Sequence, residues 1–306
     1  MGRVLWVLPL CLIFQGQSGP REIAPAIGKD DVQIKSEQQY IPPEERHYIC
    51  QDVVGSLGLM PSVGVPGGLP WYAMYQIGSK GHFPLENILV YQPSLFFQMC
   101  IDKYDREIQG YNVLFCKQER IKGKLQKAEK IVVHFREKPF SVHFEWKENP
   151  PSIASKVLYV EGENKGEMKV RAFLLLSKDP DGAEAMQTSR FTIKKFGVHI
   201  ALKSTLASIQ RAEAAGRLHI KYDGQFKVDK LGGRVCYRFT REPYDPPEED
   251  GIYKYTFYID EETWMQVGSE LRDVNGEMIA EYFFRDLVPN PEHDPNQFTD
   301  KSMSLR

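Results

Sequence analysis

Residues 111–146, YNVLFCKQERIKGKLQKAEKIVVHFREKPFSVHFEW, read as three antiparallel strands joined by short turns. In the last of them Phe140, Val142, Phe144 and Trp146 fall on one face, while Ser141, His143, Glu145 and Lys147 fall on the other. That alternation is the period-two signature of a sheet with one apolar and one polar side. The strand before it repeats the device, with Ile131, Val133 and Phe135 set against Val132, His134 and Arg136. A sheet this one-sided must cover its apolar face with helices, with its own curl, or with a ligand. Which of the three covers it decides the function.

Working outward, the stretch from Pro93 to about Ile108 carries Phe97, Ile101, Tyr104 and Ile108 at helical spacing, with Asp102, Lys103, Asp105 and Arg106 on the far side. Gly110 ends this helix. Strands then follow at about 111–120, 126–136, 139–147, 156–162 and 167–175, with turns marked by Lys122-Gly123 and Asn164-Lys165-Gly166. A polar break over 177–190 leads to a second helix, 198–215, whose stripe is Val198, Leu202, Leu206 or Thr205, Ile209 and Ala212 and whose terminator is Gly216. A further meander follows at about 217–229, 232–242, 253–260, 263–273 and 277–286, with clean alternation through Val235, Tyr237 and Phe239 and through Tyr253, Tyr255, Phe257 and Ile259. Twist accumulates over so many neighbours, so the expectation is an α+β fold: a strongly curved antiparallel half-barrel of about ten strands with two helices on its concave side.

The flanks read differently. Arg3, the apolar run Val4 to Phe14 and the small residues around Gly16-Gln17-Ser18 predict a signal peptide over residues 1–19, hence export to the periplasm or beyond. The run has eleven residues, whereas a spanning helix needs roughly 20. Residues 20–84 form an arm without sustained period, dense in Gly and Pro between Gly55 and Gly81. Its aromatic patch, Trp71, Tyr72, Met74 and Tyr75, lies against the domain or docks an envelope protein partner. The half-barrel domain is expected over 85–288, and a loose polar tail over 289–306.

With 39 Lys and Arg against 41 Asp and Glu, the net charge of −2 provides no long-range field for nucleic acid. Aromatic content of 12% suits a packed β protein. Cys50, Cys100, Cys116 and Cys236 lack zinc-ligand spacing, and exported cysteines can pair in three ways that spacing does not choose between; Cys100 and Cys116 read most simply as small core residues. His134 and His143 point to the polar face near enough for a shared metal, but no third ligand stands out and no metal is expected. The cluster Gln118-Glu119-Arg120 reads as strand-end pairing. Nucleophile elbows, zinc-protease helices, P-loops and dinucleotide fingerprints are missing from the sequence, so neither enzyme nor cofactor chemistry is expected.

Several stretches carry a resemblance. Phe115-Cys116-Lys117-Gln118-Glu119-Arg120 with Gly123 and Leu125, Lys138-Pro139-Phe140-Ser141-Val142 with Trp146, Val157-Leu158-Tyr159-Val160-Glu161-Gly162 with Asn164 and Gly166, and Arg190-Phe191-Thr192-Ile193 before Phe196-Gly197-Val198 resemble the secreted bacterial family known as domain of unknown function 1571. That family is similar, more distantly, to the LolA and LppX type of periplasmic lipoprotein carrier, with Gln118 and Lys138-Pro139 in matching places and Arg120 nearest to the carriers' buried arginine. The resemblance implies a half-barrel whose concave apolar face holds acyl chains of a lipid or lipoprotein. On that reading Val133, Phe135, Phe140, Val142, Phe144 and Trp146 line the trough, with Tyr255 and Phe257 from the far half. The alternative is a non-catalytic structural or interaction protein of the envelope, its trough filled by its own helices.

Overall fold

The computed structural model describes residues 31–33, 85–151, 154–244 and 251–304. The signal peptide and the Trp71 patch lie outside these residues. In chain order the elements are β1 (Asp31–Gln33), α1 (Leu85–Tyr91), α2 (Pro93–Glu107), β2 (Gly110–Ile121), β3 (Lys124–Leu125), β4 (Glu129–Arg136), β5 (Ser141–Glu148), β6 (Lys156–Val160), β7 (Met168–Arg171) and β8 (Leu175–Lys178). There follow the single turn α3 (Ala183–Met186), α4 (Val198–Ala214), β9 (Ile220–Val228), β10 (Arg234–Arg241), β11 (Lys254–Asp260), β12 (Gln266–Arg272) and β13 (Met278–Pro289).

All thirteen strands belong to one open, curved antiparallel sheet in the order β1-β9-β10-β11-β12-β13-β2-β4-β5-β6-β7-β8, with β3 folded back on β2. Two meanders, β2 to β8 and β9 to β13, meet where the last strand pairs the first, Phe284 opposite Phe115 and Phe283 opposite Cys116. The stretch expected as one strand over 167–175 is instead a hairpin, because the chain bends at Ala172–Leu174 and Arg171 faces Leu175. The short strand β1 pairs β9, within an arm that shows no sequence period.

One face, here the inner face, carries the helices. Pro93 opens α2 at a position where a missing N–H costs nothing, and the helix lays Phe96 on Phe239 (ring centroids 5.7 Å) and Phe97 on Phe257 (5.2 Å). α4 packs beside α2 with Leu202, Leu206, Ile209 and Ala212 buried. Its first turn is moored to the sheet, since the Val198 N–H donates to the Tyr111 hydroxyl at 3.2 Å. Gly197 precedes it at φ 128, where an added Cβ would also meet the Phe135 ring and the Tyr111 oxygen at 3.4 Å.

The outer face is less open than its polar pattern predicts. The C-terminal segment lies across it: Phe298 and Met303 are buried against Leu158 and Val160, and Arg136 stacks over the Phe298 ring at 4.6 Å. Lys156 donates to the carbonyls of Ser302 and Ser304, both at 3.0 Å, and the Arg171 guanidinium to that of Met303 at 2.7 Å. The tail expected to be loose is therefore docked, at least to residue 304. Two apolar side chains and a row of carbonyl acceptors outweigh its polar composition.

Candidate functional site

Strand register assembles the inner face into rows. One row runs Val113, Val133, Phe144, Val157, Val170, Leu176 across β2 to β8. A second contains Tyr111, Phe135, Val142 and Tyr159, and a third Phe115, Ile131 and Trp146. Val133, Phe135 and Val142 form a fully buried floor, Phe140, Phe144 and Trp146 stay half-buried, and Leu176 at the edge is 41% exposed. The row runs from Val133, fully buried in the middle of the sheet, through half-buried Phe144, buried Val157 and half-buried Val170 to exposed Leu176 at the β8 edge.

Among the described residues no long helix covers this half. Its cover is the irregular segment 179–197, which crosses back from β8 to α4. Lys194 lies over the Tyr159 ring, Phe191 near Tyr282, and Phe196 between Phe144 (4.9 Å), Phe115 (5.3 Å) and Phe284 (5.8 Å). Phe196 is itself only half-buried. Such a segment, held by a few side chains and short local turns, opens at lower cost than a packed helix.

Tyr255 and Phe257 stand elsewhere. They sit on β11, which β12, β13 and β2 separate from β4. Phe257 is fully buried beneath Phe97, and the Tyr255 hydroxyl accepts from Gln266 Nε2 at 2.9 Å. The fold therefore brings six of the eight expected lining residues together in one half and places two under the helices of the other.

At the Trp146 end of the trough lies a buried ionic cluster, where the sequence predicts strand-end pairing at Glu119 and gives Lys117 no role. Lys117 Nζ stands 3.1 Å from Glu119 and 3.4 Å from Glu129, all three buried on the inner face. Trp146 donates its indole N–H to Glu129 at 2.7 Å, and the Tyr282 hydroxyl donates to Glu119 at 2.7 Å. Burial pushes the Glu129 carboxyl up, against the opposing pull of Lys117. The period-two pattern held the signal: continuing the inward series Tyr111, Val113, Phe115 points Lys117 and Glu119 inward. Gln118 and Arg120 point out, where Gln118 donates to the Gln126 carbonyl at 2.8 Å and Arg120 pairs with Glu277 at 3.1 Å. The fully buried arginine is instead Arg241 on β10, donating to Ser208 of α4 at 2.7 Å.

On the outer face His134 and His143 are directly opposed in register, not diagonal, with stacked rings 5.9 Å apart and His293 at 6.2 Å from His134. His143 bonds Gln297 of the C-terminal segment, and burial holds its pKa down to about 4. Among the described residues no three His, Cys, Asp or Glu side chains are grouped to hold a metal ion. Cys100 and Cys116 are free thiols. A cavity of about 480 Å³ opens on this outer face between Leu158, Val160 and Phe298.

Residues 108–304 match the family described as protein of unknown function (DUF1571), and the chain belongs to it. No protein of curated function matches the sequence. Among solved structures the chain is similar to MucB in its complex with MucA from Pseudomonas aeruginosa (12% identity, TM-score 0.40, 69% of this chain and 61% of that one). It is also similar to the lipoprotein LppX of Mycobacterium tuberculosis (11%, 0.38, 66% and 98%) and to a LolA superfamily protein from Nitrosomonas europaea (9%, 0.31, 67% and 98%). No helix among the described residues is long and apolar enough to cross a membrane.

Proposed function

We propose that this protein is an extracytoplasmic, non-catalytic binding protein that holds an acyl chain of a lipid or lipoprotein in the half of the trough formed by β4 to β8. The observation that carries the reading is the apolar row Val133, Phe144, Val157, Val170, Leu176, which leaves the packed core and reaches an exposed sheet edge at Leu176, beneath an irregular segment instead of a long helix among the described residues. Phe140, Phe144 and Trp146 form the wall the guest touches, over the floor of Val133, Phe135 and Val142. Each methylene withdrawn from water contributes about 0.8 kcal/mol, so ten of them give useful affinity without any directional polar contact. The guest enters by displacing Phe196 and the segment that bears it. Tyr255 and Phe257 support the fold beneath the helices in this proposal and meet the guest only if α2 lifts.

The filled half favours a second reading, an envelope interaction protein with no guest at all, because Phe96 and Phe97 already occupy the space over β10 and β11. Native mass spectrometry of protein purified from an envelope fraction, followed by organic extraction, separates the two. The binding reading expects adducts that extract as acyl species; a mass equal to the bare chain in every preparation would favour the interaction protein.

A further inference from the structure

The β7–β8 hairpin carries two of the most exposed large apolar side chains of the described residues. Phe173 is 89% exposed and Leu174 70%, on a bend closed by the Ala172 N–H donating to the Leu174 carbonyl. Leaving a phenylalanine and a leucine in water on a projecting turn forfeits their burial, so their position asks for a partner that takes them in. The bend sits at a defined place. Trp146 of β5 bonds Ser155 and Ser155 bonds Arg171, so the tip stands at the Trp146 end of the sheet, beside the edge where Leu176 ends the apolar row. Met186, 42% exposed, stands on α3, which Lys178 ties to β8 through Glu184 at 2.8 Å.

Two of the hairpin's three charged side chains are paired with acids, Lys169 with Asp300 and Lys178 with Glu184, while Arg171 beside the tip keeps its charge and donates to the Met303 carbonyl. The patch therefore offers two apolar side chains with one cation beside them, which suits insertion between lipid headgroups driven by apolar burial, with at most a weak preference for anionic ones. We infer that the Phe173-Leu174 tip docks the protein on a phospholipid bilayer, bringing the open end of the trough to the surface from which an acyl chain is taken or to which it is given. The route for the acyl chain rests on the function proposed above; the docking itself rests on the hairpin.

Flotation of the full chain with phosphatidylcholine vesicles tests it. Wild type floats equally at low and high salt, and F173S/L174S lowers the partition by about tenfold or more, as expected for withdrawing two large apolar side chains from the bilayer. Val274, 70% exposed on the distant β12–β13 turn, serves as control: V274S floats as wild type. Undiminished flotation of F173S/L174S, or binding that needs anionic lipid and disappears in salt, overturns the inference. So does a wild-type dimer in sedimentation velocity that F173S/L174S dissolves, since the occupant is then a second copy. Binding of monomeric palmitate without vesicles keeps the two ideas apart. F173S/L174S retains it if both hold, whereas flotation without palmitate binding removes the acyl-binding proposal and leaves the docking intact.

Discussion

The two halves of this sheet present similar apolar inner faces and cover them differently. Over β9 to β12 the cover is helical: α2 and α4 lie side by side, and Phe96 and Phe97 interlock with Phe239 and Phe257 at centroid distances of 5.2 to 5.7 Å. Over β4 to β8 the cover is an irregular segment with two short helical turns, and Phe140, Phe144 and Trp146 beneath it are only half-buried. A helix satisfies its own backbone and can bury a full stripe of side chains; an irregular segment must find partners for its backbone and so reaches the sheet at only a few points. One half is therefore packed as core, and the other is where the proposed site lies.

The largest expected effect tests the filled half. Phe97→Ala removes a ring enclosed by Phe96, Phe239 and Phe257, and such cavities cost about 3–5 kcal/mol, read as a lower denaturation midpoint. A loss below about 1 kcal/mol would mean that the space under α2 collapses freely and that the two halves differ less than the packing indicates.

Acid should loosen the other half from outside. His143 has its folded pKa lowered to about 4, chiefly by burial and then by His134, while the free side chain titrates near 6.5. Between those values the unfolded chain binds more protons, so stability rises with pH there: it is complete above about 6.5 and is lost as pH falls toward 4, by up to about 3 kcal/mol. His134 and His293 are lowered in the same direction; Glu145 opposes and Lys156 adds to the effect on His143. Hydrogen exchange at pH 4.5 should show the segment 290–304 and β4 to β6 opening before β9 to β12, and His143→Gln should flatten the pH dependence.

Phe144→Asp makes the sharpest contrast with the smallest cost to folding. The side chain is half-buried, so the fold should survive with a loss of about 1–2 kcal/mol, while acyl uptake disappears because a carboxylate cannot be desolvated along the chain's path. Unfolding of the whole domain would instead assign Phe144 to the core and erase the distinction between halves.

How far the sequence carried depends on the residue. Strict alternation in Ile131, Val133, Phe135 and in Val142, Phe144 placed each side chain on the correct face, and the 93–108 and 198–215 stripes located both long helices within a residue or so. The same alternation contained Lys117, Glu119 and Arg241, but charged residues at inward positions invite a strand-end reading, and only their partners on other strands and on α4 reveal them as buried pairs. The tail was misread because Phe298 and Met303 are isolated apolar residues without a period. What anchors them, Leu158 and Val160, is more than a hundred residues away.

By itself the sequence determined most of the long strands, their faces and the two main helices, because period two and period 3.6 are local properties of the chain. Only the tertiary structure decided that β13 pairs β2 and so joins the two meanders, that α2 covers β10 and β11 and leaves β5 to β8 to an irregular segment, and that six of the eight expected lining residues lie in one half of the sheet. Those outcomes depend on which distant faces meet, and a face that reads as apolar in sequence is the same whether a neighbour or a guest finally covers it.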